Sequence, residues 1–378
     1  MRKSIHYLSA TVAFAITTFQ GAGAADLHVC AKGCLYSTIQ AAVNAASSGD
    51  VIQIAAGHYV GNVTIEGKAL TLLGAAGGPN NVSEVVGVGL GPVFTLGLGS
   101  GDSYHLIEMH NLTITQGAHQ TGTGVGAGVQ VRAGAYLHLF DSILTQNTAR
   151  FGGGLGVNTP GGPQSTVTRC LIDDNVAVTD NPGAPDGLGG GIEVSPNSNV
   201  AVSGSTIVRN HALDGGGIFT DRGSQLTLSQ STVNDNSVAQ IHFSKAYIGG
   251  AGGGIEANSS ISITNSVIAN NTAEGPEGGL GGGLFLVLGG ADQITSTMVA
   301  HNAAISQPNV AGSGGGIFTA APSQADTLGL DHVYVVENTS AQNGGIGGIS
   351  NEGTLVLTHT TIAENTGVNC SGGVGCPP

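Results

Sequence analysis

Aliphatic and polar positions alternate along this chain in short runs, and the runs recur. Eight times an aliphatic residue is followed by two free positions and an asparagine: Leu144–Asn147, Ile172–Asn175, Ile207–Asn210, Val233–Asn236, Ile268–Asn271, Val299–Asn302, Val335–Asn338 and Ile362–Asn365. Between successive copies stands a glycine cluster followed by Leu or Ile. These clusters end at Gly154, Gly191, Gly217, Gly254, Gly283, Gly316 and Gly348. Short alternating runs predict strands with one buried face. A repeat of 26 to 36 residues predicts units that bury their apolar faces only against their neighbours. The expected architecture is an all-β rod of stacked parallel strands.

The spacing within the repeat is asymmetric. From the last Gly of a cluster to the next motif Asn there are 17 to 22 residues; from that Asn to the next cluster's last Gly there are 7 to 18. A stacked coil must keep its strand lengths, so insertions leave from one corner and line one edge of the rod. The longest are 176–188, 237–251 and 303–313. The motif aliphatic residue points inward. Asn tolerates left-handed backbone angles, and its amide can bond the same Asn one coil away, about 4.8 Å off. The asparagines therefore read as a structural ladder. The position before each is polar in every copy (Gln146, Asp174, Arg209, Asp235, Asn270, His301, Glu337, Glu364). That makes a solvated stripe, with inter-coil ion pairing expected along Asp174–Arg209–Asp235.

Upstream, residues 37 to 50 predict a short helix. Ser37 and Gln40 suit a capping box, and Ile39, Ala42 and Val43 supply the apolar stripe. Val51–Ile54, Asn62–Ile65 and Leu70–Leu73 read as the three strands of one triangular coil. Two less regular coils fill 83 to 140, with Val129–Val131 and Tyr136–Leu139 among their strands. Residues 1–24 read as an export signal: Arg2 and Lys3, an apolar stretch too short to span a bilayer, then Ala22-Gly23-Ala24. The expected organisation is signal 1–24, cap 25–50, repeats 51–367 and a cysteine-containing tail 368–378. No stretch after the signal is long and apolar enough to span a membrane.

Charge narrows the partners. Without Arg2 and Lys3, eight Lys and Arg face 24 Asp and Glu, a net charge of −16. Such a surface repels nucleic acid and anionic membranes. Of five cysteines, Cys30 with Cys34 and Cys370 with Cys376 are close enough to pair, which an exported chain permits. Cys170 is left over, at the place held by Ser205, Ser231 and Ser266 in other repeats, and is expected free and inward-facing.

The stretch Ser37-Thr-Ile-Gln-Ala-Ala-Val43 to Gly49-Asp-Val-Ile52, then Gly57-His-Tyr59 and Leu70-Thr-Leu-Leu-Gly74, resembles the cap and first coil of the right-handed parallel β-helix (pectin lyase-like) superfamily. The aliphatic-x-x-Asn and Gly-Gly-Gly-Ile phrases are similar to the repeats of polymorphic outer-membrane proteins, which are surface adhesins. The resemblance covers roughly 37 to 367 and implies a right-handed parallel β-helix with a short N-terminal capping helix. The superfamily hosts lyases, hydrolases, esterases and non-catalytic adhesins. The pectin esterase Asp-Phe-x-Phe-Gly stretch, the polygalacturonase Arg-Ile-Lys and Gly-His-Gly segments and the lyase arginine pattern are absent, so no family functional residue carries over.

The residue two after each glycine cluster is predicted to face outward beside the loop edge: Gly156, Glu193, Phe219, Glu256, Phe285, Phe318 and Ser350. Phe219, Phe285 and Phe318 suit stacking on sugar faces, with carboxylates taking hydroxyls. An alternative is a satellite core beneath the loops. Glu193 and Glu256, two coils and about 9.6 Å apart, are the candidate catalytic pair, at the outer limit for an inverting mechanism. Asp173, Asp174, Asp180 and Asp186 are candidate calcium ligands, though no spacing template is met; no other cofactor is expected. His105, Glu108 and His110 cannot converge on a metal from one flat strand. His242, Lys245 and Tyr247 are a further candidate cluster. The reading is a secreted or surface-exposed rod that binds extracellular polysaccharide or a surface ligand without chemistry. The alternatives are a polysaccharide lyase or glycoside hydrolase, and a structural adhesin.

Overall fold

The computed structural model describes residues 24–77, 81–97, 103–119, 124–178, 187–239, 250–275, 278–289, 291–306, 312–323, 325–340 and 345–377. Apart from Ala24, the expected export signal lies outside them, as do His242, Lys245, Tyr247, Asp180 and Asp186.

The strands form four parallel sheets of 12, 8, 11 and 11 strands. One coil shows the path. Asn199–Ser203 lies in the twelve-stranded sheet and Thr206–Val208 in an eleven-stranded sheet that carries the motif aliphatics. His211–Ala212 lies in the eight-stranded sheet, and Ile218–Thr220, just after a glycine cluster, in the other eleven-stranded sheet. Below, these are the wide, corner, short and glycine sheets. Gln225–Ser229 then re-enters the wide sheet in register with Asn199–Ser203. Alternate residues point inward. Val200, Val202, Ile207 and Ile218 are fully buried, and one apolar cluster runs from Leu27 to Leu355. Each such side chain contributes about 1.5–3 kcal/mol by leaving water. The parallel β-helix expected from the repeat is thus the observed fold. The strands that precede the expected insertions, such as Val176–Ala177, Ser237–Ala239 and Ala303–Ser306, all lie in the short sheet, while most residues of the insertions lie outside the described ones. The short sheet itself was not foreseen, because its strands have two to four residues, too few to show a period.

The asparagine ladder is closed by hydrogen bonds. Asn210 Nδ2 donates to Asn236 Oδ1 at 2.9 Å, and Asn236 Nδ2 donates to Asn271 Oδ1 at 3.0 Å. Each backbone N–H donates to the same oxygen; Asn210 N lies 3.0 Å from Asn236 Oδ1. From Asn175 onward each Nδ2 also reaches back to the carbonyl of a motif aliphatic, as Asn236 Nδ2 does to Ile207 O at 2.9 Å, while Asn147 Nδ2 reaches Ile114 O. The series runs from Gly117 N, which donates to Asn147 Oδ1, to Asn369 Oδ1, which receives from Asn365. Buried amides satisfied on both sides stabilise rather than cost.

The corner departs from expectation in one respect. The left-handed residue is not Asn but the polar residue before it: Gln146, Asp174, Arg209, Asp235, Asn270, His301, Glu337 and Glu364 have φ of 53° to 59°. The chain must turn there so that the following Asn side chain points inward. A second left-handed corner, between wide and corner sheets, includes Asp141, Arg169, Gln230, His332 and His359. The expected Asp174–Arg209–Asp235 ion pairing is also corrected. Arg209 pairs with Asp173 at 2.6 Å, because Asp173 faces out on the strand while Asp174 sits in the bend.

The two repeated phrases are coupled sterically. A Cβ on Gly217 would lie 3.1 Å from the Asn236 amide, and one on Gly216 would lie 2.4 Å from Gly253 O. Gly215 has φ 61° and is the turn itself. The last glycine of a cluster is therefore the seat of the ladder amide.

The capping helix is Ile39–Ala45, shorter than expected, with Ile39, Ala42 and Val43 buried as expected. Its N-cap is Thr38, whose hydroxyl accepts from Ala41 N. Gln40 does not close a capping box but bonds Thr64 N and Asn44 instead. Two strands were missed. Asp26–Val29 pairs with Val51–Ile54 inside the presumed cap. Gly57–Val60 completes the first coil, so Leu70–Gly74 already begins the second. Gly57–Val60 buries only Tyr59, which leaves no alternation to read.

Cys30–Cys34 and Cys370–Cys376 are disulfide-bonded, and Cys170 is free and buried. The tail pairs Cys370–Ser371 with Ile349–Ser350 and bridges Val374 to Thr354, so it closes the last coil. Cys170 belongs to a second inward column: its N–H donates to Ser205 Oγ, and Ser205 N to Ser231 Oγ. Burial pushes its thiol up to about 11. Iodoacetamide at mildly alkaline pH should therefore leave Cys170 unlabelled in the native protein and label it fully in denaturant. Rapid native labelling would contradict the inward placement.

Candidate binding edge

Gly156, Glu193, Phe219, Glu256, Phe285, Phe318 and Ser350 occupy one continuous register across the glycine sheet. Their neighbours Leu155, Ile192, Ile218, Ile255, Leu284, Ile317 and Ile349 are fully buried in the core, so the column faces away from it. Exposure does not follow from that direction. Glu193, Phe219 and Glu256 are only 4 %, 5 % and 8 % exposed, which corrects the expected open stripe. A left-handed glycine opens the first six clusters (Gly152, Gly189, Gly215, Gly252, Gly281, Gly314) and turns back over the column. A Cβ on Gly152 would come within 3.1 Å of Glu193 Cβ, and one on Gly215 within 2.8 Å of Phe219 Cβ. Phe151, Leu188 and Asp214, bridged coil to coil, lead into these turns. Phe285 and Phe318 remain half-buried and stack on each other, centroids 5.3 Å apart and rings within 2° of parallel. Each covers one face of the other. Beyond Phe318 the next residue in the column is Ser350, itself only 8 % exposed.

The two carboxyls are held in different ways. Glu193 accepts the Ser195 hydroxyl at 2.9 and 3.0 Å. Burial pushes its pKa up to about 8; Asp221 adds to the rise and the Ser195 hydrogen bond opposes it. Glu256 Oε1 accepts from Asn258 Nδ2 at 2.9 Å, while its buried Oε2 has no hydrogen-bond partner among the described residues. Burial, then the negative charge of Asp214, raise Glu256 well above the usual carboxylate range. Asp214 Oδ1 accepts from Gly250 N and Ala251 N. An unpartnered buried oxygen is tolerable on a neutral acid and costly on an anion. Both glutamates are accordingly harder to ionise than an exposed carboxyl, because burial disfavours the charged form of each. Phe219 stands between them in the register. An inverting pair needs a sugar and a water between its carboxyls, and here a phenyl ring fills that interval.

Asp173 is engaged by Arg209, and Asp174 stands exposed at the corner. His110 stacks on Phe140 at 4.6 Å, and Glu108 accepts from Thr71 Oγ1 at 3.2 Å, so those two groups are used separately. The sequence reading missed Ser195, Asn258 and Asp214 as partners of the column. Ser195 and Asn258 each lie two residues beyond a column glutamate, on the same strand face, and that period was the available signal.

No curated protein matches the chain. Among solved structures, a pectin methylesterase from Aspergillus niger aligns with a TM-score of 0.33 at 14 % identity, over 93 % of this chain and 86 % of its own. The pectate lyase Pel9A aligns with a TM-score of 0.40 at 14 % identity, over 90 % and 78 %. Escherichia coli YbhC aligns with a TM-score of 0.29 at 13 % identity, over 68 % and 75 %. The family described as "Right handed beta helix region" matches residues 99–297. That span is over half the chain and includes five of the eight asparagine motifs complete, so the protein belongs to the right-handed parallel β-helix family.

Proposed function

We propose that this protein is an exported rod whose glycine-sheet edge binds a neutral extracellular polysaccharide without cleaving it. The observation that carries the reading is the half-buried Phe285–Phe318 stack, continued by the small Ser350. A sugar ring laid against the exposed part of the Phe285–Phe318 pair exchanges water for apolar contact. Burial raises the pKa of Glu193 and of Glu256 and so disfavours charge in the adjoining column, and the protein's net negative charge repels polyanions. The two disulfides fit an oxidising compartment. No helix among the described residues is long and apolar enough to cross a membrane.

Affinity electrophoresis through xylan or mixed-linkage β-glucan should retard the wild-type protein, and polygalacturonate should not. Phe318→Ala should weaken retardation roughly tenfold, since an aromatic contact is worth about 0.5–1.5 kcal/mol beyond its area. Its melting temperature should move little, because the ring is only half-buried. Unchanged retardation would place the site on another face.

A further inference from the structure

At the far end of the rod, on the corner between the wide and corner sheets, Asp331, His332 and His359 gather three groups that ligate metals. One ligand atom from each lies within 4.8 Å of the others. Among the described residues no other set of three His, Cys, Asp or Glu converges this closely. His332 Nδ1 lies 2.8 Å and His359 Nδ1 3.8 Å from the same oxygen, Asp331 Oδ1. The imidazole centroids are 4.6 Å apart with a 31° tilt.

The backbone fixes this juxtaposition. His332 and His359 hold equivalent left-handed corner positions in successive coils, at φ 54° and 47°. His332 N donates to Thr358 O at 2.9 Å, which locks the two turns together. Asp331 is the last residue of Thr327–Asp331, in register with Thr358 on the final wide-sheet strand. The side chains stand in solvent, with 44 % of Asp331, 59 % of His332 and 70 % of His359 exposed. An ion can reach them, and small side-chain rotations can close the triangle.

We propose that Asp331, His332 and His359 form a site for a divalent transition metal ion, Zn²⁺ or Cu²⁺, that staples the last two coils together. Two imidazoles and one carboxylate suit these ions; oxygen-seeking Ca²⁺ or Mg²⁺ would not select two nitrogens. Bonds of about 2.0–2.1 Å in a tetrahedron set ligand atoms roughly 3.3 Å apart, within a rotamer adjustment of the observed separations. The fourth position is open to water. The site is remote in the fold from the Phe285–Phe318 column, and its test does not depend on any polysaccharide.

The test is calorimetric titration of the disulfide-bonded protein with ZnCl₂, and electron paramagnetic resonance with one equivalent of Cu²⁺. His332→Asn and His359→Asn remove a ligand while keeping a residue that tolerates the left-handed corner. One equivalent of Zn²⁺ should bind, and the Cu²⁺ spectrum should show two nitrogen donors. Each variant should bind roughly 100-fold more weakly or worse, since losing even an outer-sphere partner costs about 10–100-fold. His301→Asn, at a Glu337-paired position on the other corner, should bind like wild type. With Zn²⁺ in about hundredfold excess over its Kd, hydrogen exchange at Thr361–Ala363 should slow by up to roughly 100-fold. Absence of stoichiometric binding, binding retained in the double His332/His359 variant, or loss of binding on His301→Asn overturns the proposal.

Discussion

Asn236→Ala should be among the most damaging single substitutions in the rod, although the residue touches no ligand. Its Oδ1 accepts from both Asn210 N and Asn210 Nδ2, and its Nδ2 donates to Ile207 O and Asn271 Oδ1. Alanine leaves the buried Asn210 N–H and the Ile207 carbonyl short of a partner. Each such group costs about 1–3 kcal/mol, so a loss on the order of 2–6 kcal/mol is expected in urea denaturation. Asn236→Asp should be worse still, despite nearly identical shape. It loses both donors and sets a carboxylate oxygen against Ile207 O and Asn271 Oδ1. A loss below about 0.5 kcal/mol for alanine, the usual range for surface changes, would show that the ladder is incidental to stability. Aspartate proving milder than alanine would show that its donors do not matter.

Stability should fall as pH rises from about 4.5 to about 8, and Glu193→Gln should remove much of that slope. The Glu193 carboxyl is raised from 4.5 to about 8 in the folded protein, chiefly by burial. A raised acid favours the folded state fully below its unfolded pKa. The unfolded chain ionises above 4.5 while the folded one still holds its proton, so this stability is lost up to the folded pKa and stays lost above it. At about 1.4 kcal/mol per unit, the difference is of the order of a few kcal/mol. Glutamine copies the protonated acid and still accepts the Ser195 hydroxyl. Glu193→Gln should therefore melt higher than wild type at pH 8 and close to it at pH 4.5. Melting curves over this window decide the matter. A wild-type protein that gains stability from pH 4.5 to 8, with Glu193→Gln destabilised at pH 8, would mean that Glu193 is ionised in the fold.

Both predictions show where sequence was readable. The ladder was legible because it is periodic: one Asn per coil, one aliphatic three residues earlier, and a rigid interval from glycine to Asn. The coupling of the two phrases was not, since it lies in a contact between Gly217 and Asn236 that only the stacked coil creates. The direction of the Glu193 column followed from strand alternation. Its burial agrees with the satellite-core alternative, but the contribution of the glycine turn to that cover was not legible, because such a turn has no side chains to signal packing. The left-handed bend was assigned one residue late for a similar reason. Asn is the residue type that such bends favour, but here its side chain is needed in the ladder, so the bend falls on Arg209 or Glu337 instead. The His332–His359 pairing was hidden by distance in sequence and becomes visible only once the coil register is known.

The proposed role has two parts: the rod holds a neutral polysaccharide at its glycine-sheet edge, and it leaves the polymer whole. Size-exclusion chromatography with light scattering, on the protein mixed with xylan or mixed-linkage β-glucan, measures both parts at once. The expected result is a complex whose polymer keeps its starting mass after long incubation, and roughly tenfold weaker association for Phe318→Ala. Polymer that shortens with time, with shortening abolished by Glu193→Gln or Glu256→Gln, would contradict it and make the column an active site.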